Sequence, residues 1–269
     1  MTTPAIELAD VAWATALRLP TRHDRIWTVR HEPHIALHRS AVVSITDGER
    51  TLLLADRPGG YVTLAAWPDG AQPHTIRCLP AHPRSLAWSA AAQQLAALDH
   101  SATRTADHDE LAAHLPRTLI RPVRRSEPAP GRRLATSTLT DGTLLTTATR
   151  APAPGATLTF EDVPLPRAEH VLMRTLGRPT GQHAPLPRTR VANRAARRLI
   201  ASRPHQLLLD LERDNGTTVL ASEPTTAHAA YATVVIGPHT RGGDRSRIAT
   251  LTVHAGTDLA LMLLGEANG

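Results

Sequence analysis

The basic chemistry of this chain is carried entirely by arginine: there are thirty basic positions, and none is lysine. A guanidinium keeps its charge and offers carboxylates and phosphates a planar fork, whereas lysine offers a flexible point charge. Between His170 and Leu209 stand eight arginines, Arg174, Arg178, Arg188, Arg190, Arg194, Arg197, Arg198 and Arg203, without one Asp or Glu. If Thr189 to Ser202 is helical, Arg190, Arg194, Arg197 and Arg198 fall at i, i+4, i+7 and i+8 on one face. Such a stripe suits an anion, either the phosphates of a nucleic acid or an acidic partner protein. It equally suits a solvated face, or arginines that reach carboxylates elsewhere in the fold. No aromatic residue lies between Glu161 and Ala230, so a nucleic acid would be held here by its backbone and not by stacked bases.

Other chemistry-bearing groups are thinner. His31-Glu32-Pro33-His34, with His38 four residues further on, could place His34 and His38 on a metal, but Pro33 favours a strand or turn and no third ligand can be named. Asp107-His108-Asp109-Glu110 could hold a cation or act as acid and base; a solvated loop and helix start explains it as well. Cys78, the single cysteine, reads as a buried and inert thiol and excludes an internal disulfide. There is no Gly-x-Ser-x-Gly elbow, and Gly59-Gly60 and Gly242-Gly243 lack the ending of a phosphate loop. A chain without lysine also has no Schiff-base or lysine-base chemistry. No catalytic residue, metal or cofactor is therefore assigned.

Composition bounds the rest. With 269 residues, 41% hydrophobic and only 3% aromatic, the chain can build one large or two small cores, mainly from Leu, Val, Ile and Ala. The formal charge of +6 is moderate, and the absence of lysine also fits a GC-rich coding sequence. Met1 to Asp10 lacks the pattern of a secretion signal, and Leu259 to Leu264 is far too short to span a membrane. A soluble, cytoplasmic protein is expected.

These groups must be positioned by strands. A recurring pattern runs strand, tight turn, strand, break, strand. Its first copy is Val43 to Thr46, Asp47-Gly48, Thr51 to Ala55, then Tyr61 to Leu64, Asp-Gly between apolar runs being a strong hairpin signal. A second uses Ser85 to Ser89, Leu95 to Leu98 and Ala102 to Ala106. A third uses Ala135 to Thr140, Asp141-Gly142, Leu144 to Thr149 and Thr157 to Phe160. A fourth can be placed at Leu199 to Ser202, Leu207 to Leu211 and Thr217 to Leu220, and a fifth at Ile248 to His254 and Leu259 to Leu264. Arg25 to Arg30 could close a ring with the fifth. Short helices are expected at Ala90 to Gln94 and Asp109 to Leu115, and a longer one at Pro166 to Leu176, ended by Gly177.

Turns recurring at about 45 residues match the period of propeller blades. The segments resemble degenerate WD40 blades, Ser85 to Asp107 best of all, with Ala81-His82-Pro83 near the place of that family's Gly-His pair, although no blade ends in Trp-Asp. The resemblance implies a mainly β fold, a propeller of about five blades with a short helical, Arg-rich insertion at about 166–203. A β-sandwich or two small β domains would give the same rhythm. The divisions read from the sequence are an N-terminal segment at 1–24, a first β half at 25–125, a Pro/Arg-rich linker or loop at 126–133 and a second β half at 134–269. The expected function is a non-enzymatic binding or scaffold module for an acidic macromolecular partner, with Arg190, Arg194, Arg197 and Arg198 as the contacts. Alternatives are a nucleic-acid-binding subunit of a larger complex and a hydrolase whose site assembles from loops.

Overall fold

A computed structural model describes residues 7–22, 25–32, 35, 37, 40–66, 74–76, 79–98, 111–114, 123–129, 132–150, 155–179, 186–187, 190–224, 229–237 and 247–267. The chain divides into two compact units, Met1–His100 and Ser101–Gly269. Each is built on its own antiparallel sheet, and neither sheet is closed.

In the first unit, α1 (Leu8–Ala16) precedes β1 (Thr28–His31), β2 (Val42–Thr46), β3 (Thr51–Arg57) and β4 (Tyr61–Ala66). These strands pair in chain order, and β5 (His74–Thr75) and β6 (Leu79–Pro80) both pair with the outer edge of β4. Leu37 and Ile35 lie over one face, against Val42, Leu53, Ala55 and Ala65. The opposite face, with Ile45, Leu52, Leu54 and Leu64, is also fully buried, so these strands read as nearly continuous apolar runs. The Asp47-Gly48 turn forms as its sequence demands. Asp47 Oδ1 accepts the backbone N–H groups of Glu49 (3.0 Å) and Arg50 (2.8 Å), and Oδ2 takes the Arg50 guanidinium, which lies 4.9 Å from the Trp27 ring centre.

Two expectations fail in this unit. The second strand copy is helical: α2 (Pro83–Gln93) covers Ser85 to Ser89, and α3 (Leu95–Leu98) replaces its next strand. Pro83 suits a first helical position, and Leu86, Ala87, Ala90 and Ala91 are buried at helical spacing where a strand would bury every second residue. The WD40 match is best over this stretch, and its remaining strand, Ala102 to Ala106, lies outside the described residues. The strand expected at Arg25 to Arg30 forms in part as β1, but it pairs with β2 of its own sheet, Thr28 opposite Thr46.

The second unit holds two four-stranded meanders. The first is β7 (Arg124–Ala129), β8 (Arg132–Thr138), β9 (Leu144–Arg150) and β10 (Ala156–Pro164), followed by α4 (Leu165–Leu176). After α5 (Arg194–Ser202) comes the second, β11 (Leu208–Glu212), β12 (Thr218–Ala221), β13 (Tyr231–Ile236) and β14 (Ile248–Ala255), followed by α6 (Thr257–Ala267). The meanders join through their last strands, β10 against β14, into one sheet of order β11-β12-β13-β14-β10-β9-β8-β7. Both following helices pack on these two central strands. Gly155 immediately precedes β10 at φ 91°, and a Cβ there would stand 2.5 Å from the Ala255 carbonyl oxygen, so only glycine permits this approach to the end of β14.

Here too the sequence reading needs correction. The expected linker at 126–133 falls largely within strands β7 and β8, which pair Arg124 with Thr136 and Ala129 with Arg132. Pro128 is tolerated because β7 is an edge strand. Leu259 to Leu264, read as a strand, is the middle of α6, and Leu199 to Ser202 is the end of α5. The described strands make two open antiparallel sheets, which fits the mainly β expectation and does not show a propeller.

The two faces of the eight-stranded sheet differ. Ala249, Leu251 and Val253 of β14, with Ala232, Val234 and Ile236 of β13, are buried. The other face is half-buried and crossed by one row: Leu208, Ala221, Thr233, Thr252, Thr159, Thr146, Thr136 and Arg124, each opposite the next on the neighbouring strand. Five consecutive threonines suit a strand surface that meets water. The row runs from a leucine at one edge to an arginine at the other.

Candidate functional site

The arginine-bearing helix is shorter than its sequence suggests. It begins at Arg194 because Asn193 caps it: Asn193 Oδ1 accepts the N–H groups of Ala195 (2.9 Å) and Ala196 (3.2 Å), while Nδ2 donates to the Gly237 carbonyl at the end of β13 (2.9 Å). Arg190 therefore lies outside the helix, in a turn where its N–H donates to the Pro187 carbonyl. Arg194, Arg197 and Arg198 share the helix at i, i+3 and i+4. The four-arginine helical stripe is thus three arginines on α5 and one in the approach to it.

The eight arginines of this region divide by what they touch. Arg174 on α4 makes a bidentate pair with Glu266 on α6, Nε to Oε2 at 3.1 Å and a terminal nitrogen to Oε1 at 2.7 Å, with His170 also on Oε2 at 3.0 Å. Arg203 is 3% exposed and donates to the Gly177 carbonyl (3.1 Å), to Gln206 Oε1 (3.2 Å) and to the Glu169 carbonyl (3.4 Å). Gln206 in turn donates to the carbonyls of Leu176 and Arg178. Together they satisfy the backbone acceptors left where α4 stops at Gly177 (φ 82°). Burial pulls the Arg203 guanidinium below the usual arginine range, and the nearby Glu169 carboxylate opposes that pull. Arg197 donates to the carbonyls of Val191 and Ala192, both at 2.8 Å, and so ties down the approach to its own helix.

Arg178, Arg190, Arg194 and Arg198 are exposed and have no side-chain hydrogen bond or ion pair among the described residues. Arg188 lies outside those residues. Arg194 opens α5, Arg197 and Arg198 follow within its first five residues, and no carboxylate stands in the first turn. This is the positive end of the helix dipole, where each added cation is disfavoured by about 0.3–1 kcal/mol. A helix shaped only for stability would carry acids there.

The helix is fixed beside the β11 edge of the sheet. The Ala192 N–H donates to Glu212 Oε1 (2.7 Å) at the end of β11, and the far end of α5 leads through Arg203 and the buried Leu207 into Leu208. So the start of α5 is tied to the end of β11, and its far end leads back to the start of that strand. The three leucines of that strand are exposed: Leu208 by 49%, Leu209 by 40% and Leu211 by 46%. Sequence reading did not single them out, because an apolar strand promises burial until its place at a sheet edge is known.

Compared with known proteins, the chain matches no family model, no curated protein and no solved structure.

The other candidates contribute little. His31 Nδ1 faces the Val42 carbonyl at 3.2 Å and Glu32 accepts from Ser44, while His34, His38, Cys78 and residues 107–110 lie outside the described residues. Among the described residues no group of three or more His, Cys, Asp and Glu could hold a metal ion. No helix among them is long and apolar enough to cross a membrane. Arg124 and Arg125 on β7 form a second exposed basic pair, at the opposite edge of the sheet. Charge is also unevenly divided: residues 1–100 hold nine arginines against nine carboxylates, and residues 101–269 hold twenty-one against fifteen, so the whole +6 sits in the second unit.

Proposed function

We propose that this chain is a binding module that contacts an acidic protein partner through Arg190, Arg194 and Arg198. The observation that carries the reading is the set of exposed guanidinium groups at the positive end of α5 that have no partner among the described residues, in a region where Arg174, Arg197 and Arg203 are all consumed by structure. An anion placed there would relieve both the mutual repulsion and the unfavourable helix dipole. Exposed leucines on β11, the strand to which the start of α5 is tied, favour a protein over a nucleic acid, since they offer nothing to a phosphate backbone and supply no aromatic face for a base. Arg197 supports the site by holding residues 191–192 in place and is not itself a contact.

The test is to titrate labelled poly-L-glutamate and a single-stranded oligonucleotide of equal charge against the chain over a range of salt. Replacing Arg190, Arg194 and Arg198 with Ala weakens poly-glutamate binding by about tenfold or more, while replacing Arg124 and Arg125 with Ala leaves it within about twofold. Equal loss from both sets would mean that net charge, and not this site, does the binding. Tighter binding of the oligonucleotide would transfer the site to nucleic acid.

A further inference from the structure

We infer that the outer edge of β11 receives an extended segment of the partner protein as an added strand, and that this segment alternates apolar and acidic residues. The inference rests on the reading of α5 as an anion-contacting helix and says how the partner is held.

The two edges of the eight-stranded sheet carry opposite chemistry. At β7 the edge is Arg124, Arg125, Ser126, Glu127 and Pro128, exposed, charged, without a donor at the proline and irregular between Ser126 and Ala129. These are the devices by which a protein prevents another strand from adding. At β11 the edge is Leu208, Leu209, Asp210, Leu211 and Glu212. Its guards are one acid, Asp210, at a register shift between Leu209 and Leu211, and Glu212, which is engaged by Ala192. Among the described residues no strand pairs with the outer side of β11. One sheet thus protects one edge and leaves apolar side chains on the other.

The register specifies what would fit. Leu208 stands opposite Ala221 and Leu211 opposite Val219, both on the threonine-bearing face; Leu209 stands opposite the buried Leu220, on the face that packs against helices. An added strand would alternate its side chains between the same two faces. Those on the open face would cover Leu208 and Leu211 and should be apolar. Those on the other face lie on the side of Glu212, where its bond to Ala192 brings in the start of α5 with Arg194 and Arg198 exposed, and should be acidic. A second copy of β11 fits poorly: an antiparallel pair centred on Asp210 sets that carboxylate against its own copy and brings two arginine helices together.

Hydrogen exchange of the full chain, with three short peptides as probes, tests this. An alternating Val/Glu peptide slows the amides of 208–212 by about tenfold or more at saturation, whereas a block peptide of the same composition and an alternating Val/Lys peptide do not. These comparisons use the unaltered chain. Replacing Leu208 and Leu211 with Lys abolishes the protection while poly-glutamate binding persists. If the block peptide binds as well and the β11 amides exchange unchanged, strand addition is wrong and the arginine site survives. Protection of β11 that grows with protein concentration alone would make a second copy the occupant and overturn the inference. Failure of every acidic probe to bind would remove both readings.

Discussion

Arg203 and Arg198 lie five residues apart and do opposite things. Arg203 is closed in by the end of α4 and spends its guanidinium on backbone carbonyls, whereas Arg198 faces water. Replacing Arg203 with Leu leaves the Gly177 and Glu169 carbonyls without their donor and should lower stability by about 2–3 kcal/mol, with poly-glutamate affinity unchanged in the folded protein. Replacing Arg198 with Ala should change stability by less than about 0.5 kcal/mol and weaken binding. Denaturant unfolding and titration on the two variants separate these outcomes. The sequence showed that arginines gather where carboxylates are missing. It did not show which ones are spent, because Arg174 finds Glu266 ninety-two residues away and Arg203 finds carbonyls rather than any acid.

Among the elements, α5 is the one whose boundary decides the site. Asn193 ends the possibility of a helix from Thr189 by taking the cap position, and this removes Arg190 from the helical face. Asn193→Ala should cost about 1 kcal/mol and speed exchange of the amides at 195–198, since the cap and the tie to Gly237 go together. Unchanged exchange would show that packing alone holds the helix. The Asp47-Gly48 and Asp141-Gly142 turns and the strands around them were legible, because turn chemistry there is local: Asp47 and Asp141 each accept N–H groups two or three residues on. The helices α2 and α6 were not. Their Ala- and Leu-rich runs are apolar on nearly every side, which erases the periodicity that separates helix from strand.

At the scale of the molecule, spacing between turns was readable but the order of strands was not. Two meanders with similar rhythm meet different fates at their last strand. The outer edge of β4 is taken by the nearby β5 and β6, while that of β10 is taken by β14, Ala156 standing opposite Ala255. Pairing between such distant segments leaves no mark in local pattern, so a row of similar hairpins does not reveal which strands share a sheet. The same scale governs electrostatics. The first unit is formally neutral and the second carries all of the +6, so long-range attraction would draw the proposed acidic partner to the second unit and leave local contacts to choose where it docks.

The central claim, that the exposed arginines of α5 form the contact, is tested most directly by reversing them. Arg194→Glu with Arg198→Glu replaces two positive charges with two negative ones and leaves the formal charge at +2, down from +6, so overall attraction would still favour an acidic probe. The account predicts that this variant loses poly-glutamate binding by about tenfold and gains poly-lysine binding that the unaltered chain lacks. A variant that holds poly-glutamate as tightly as before, with poly-lysine still rejected, would contradict it.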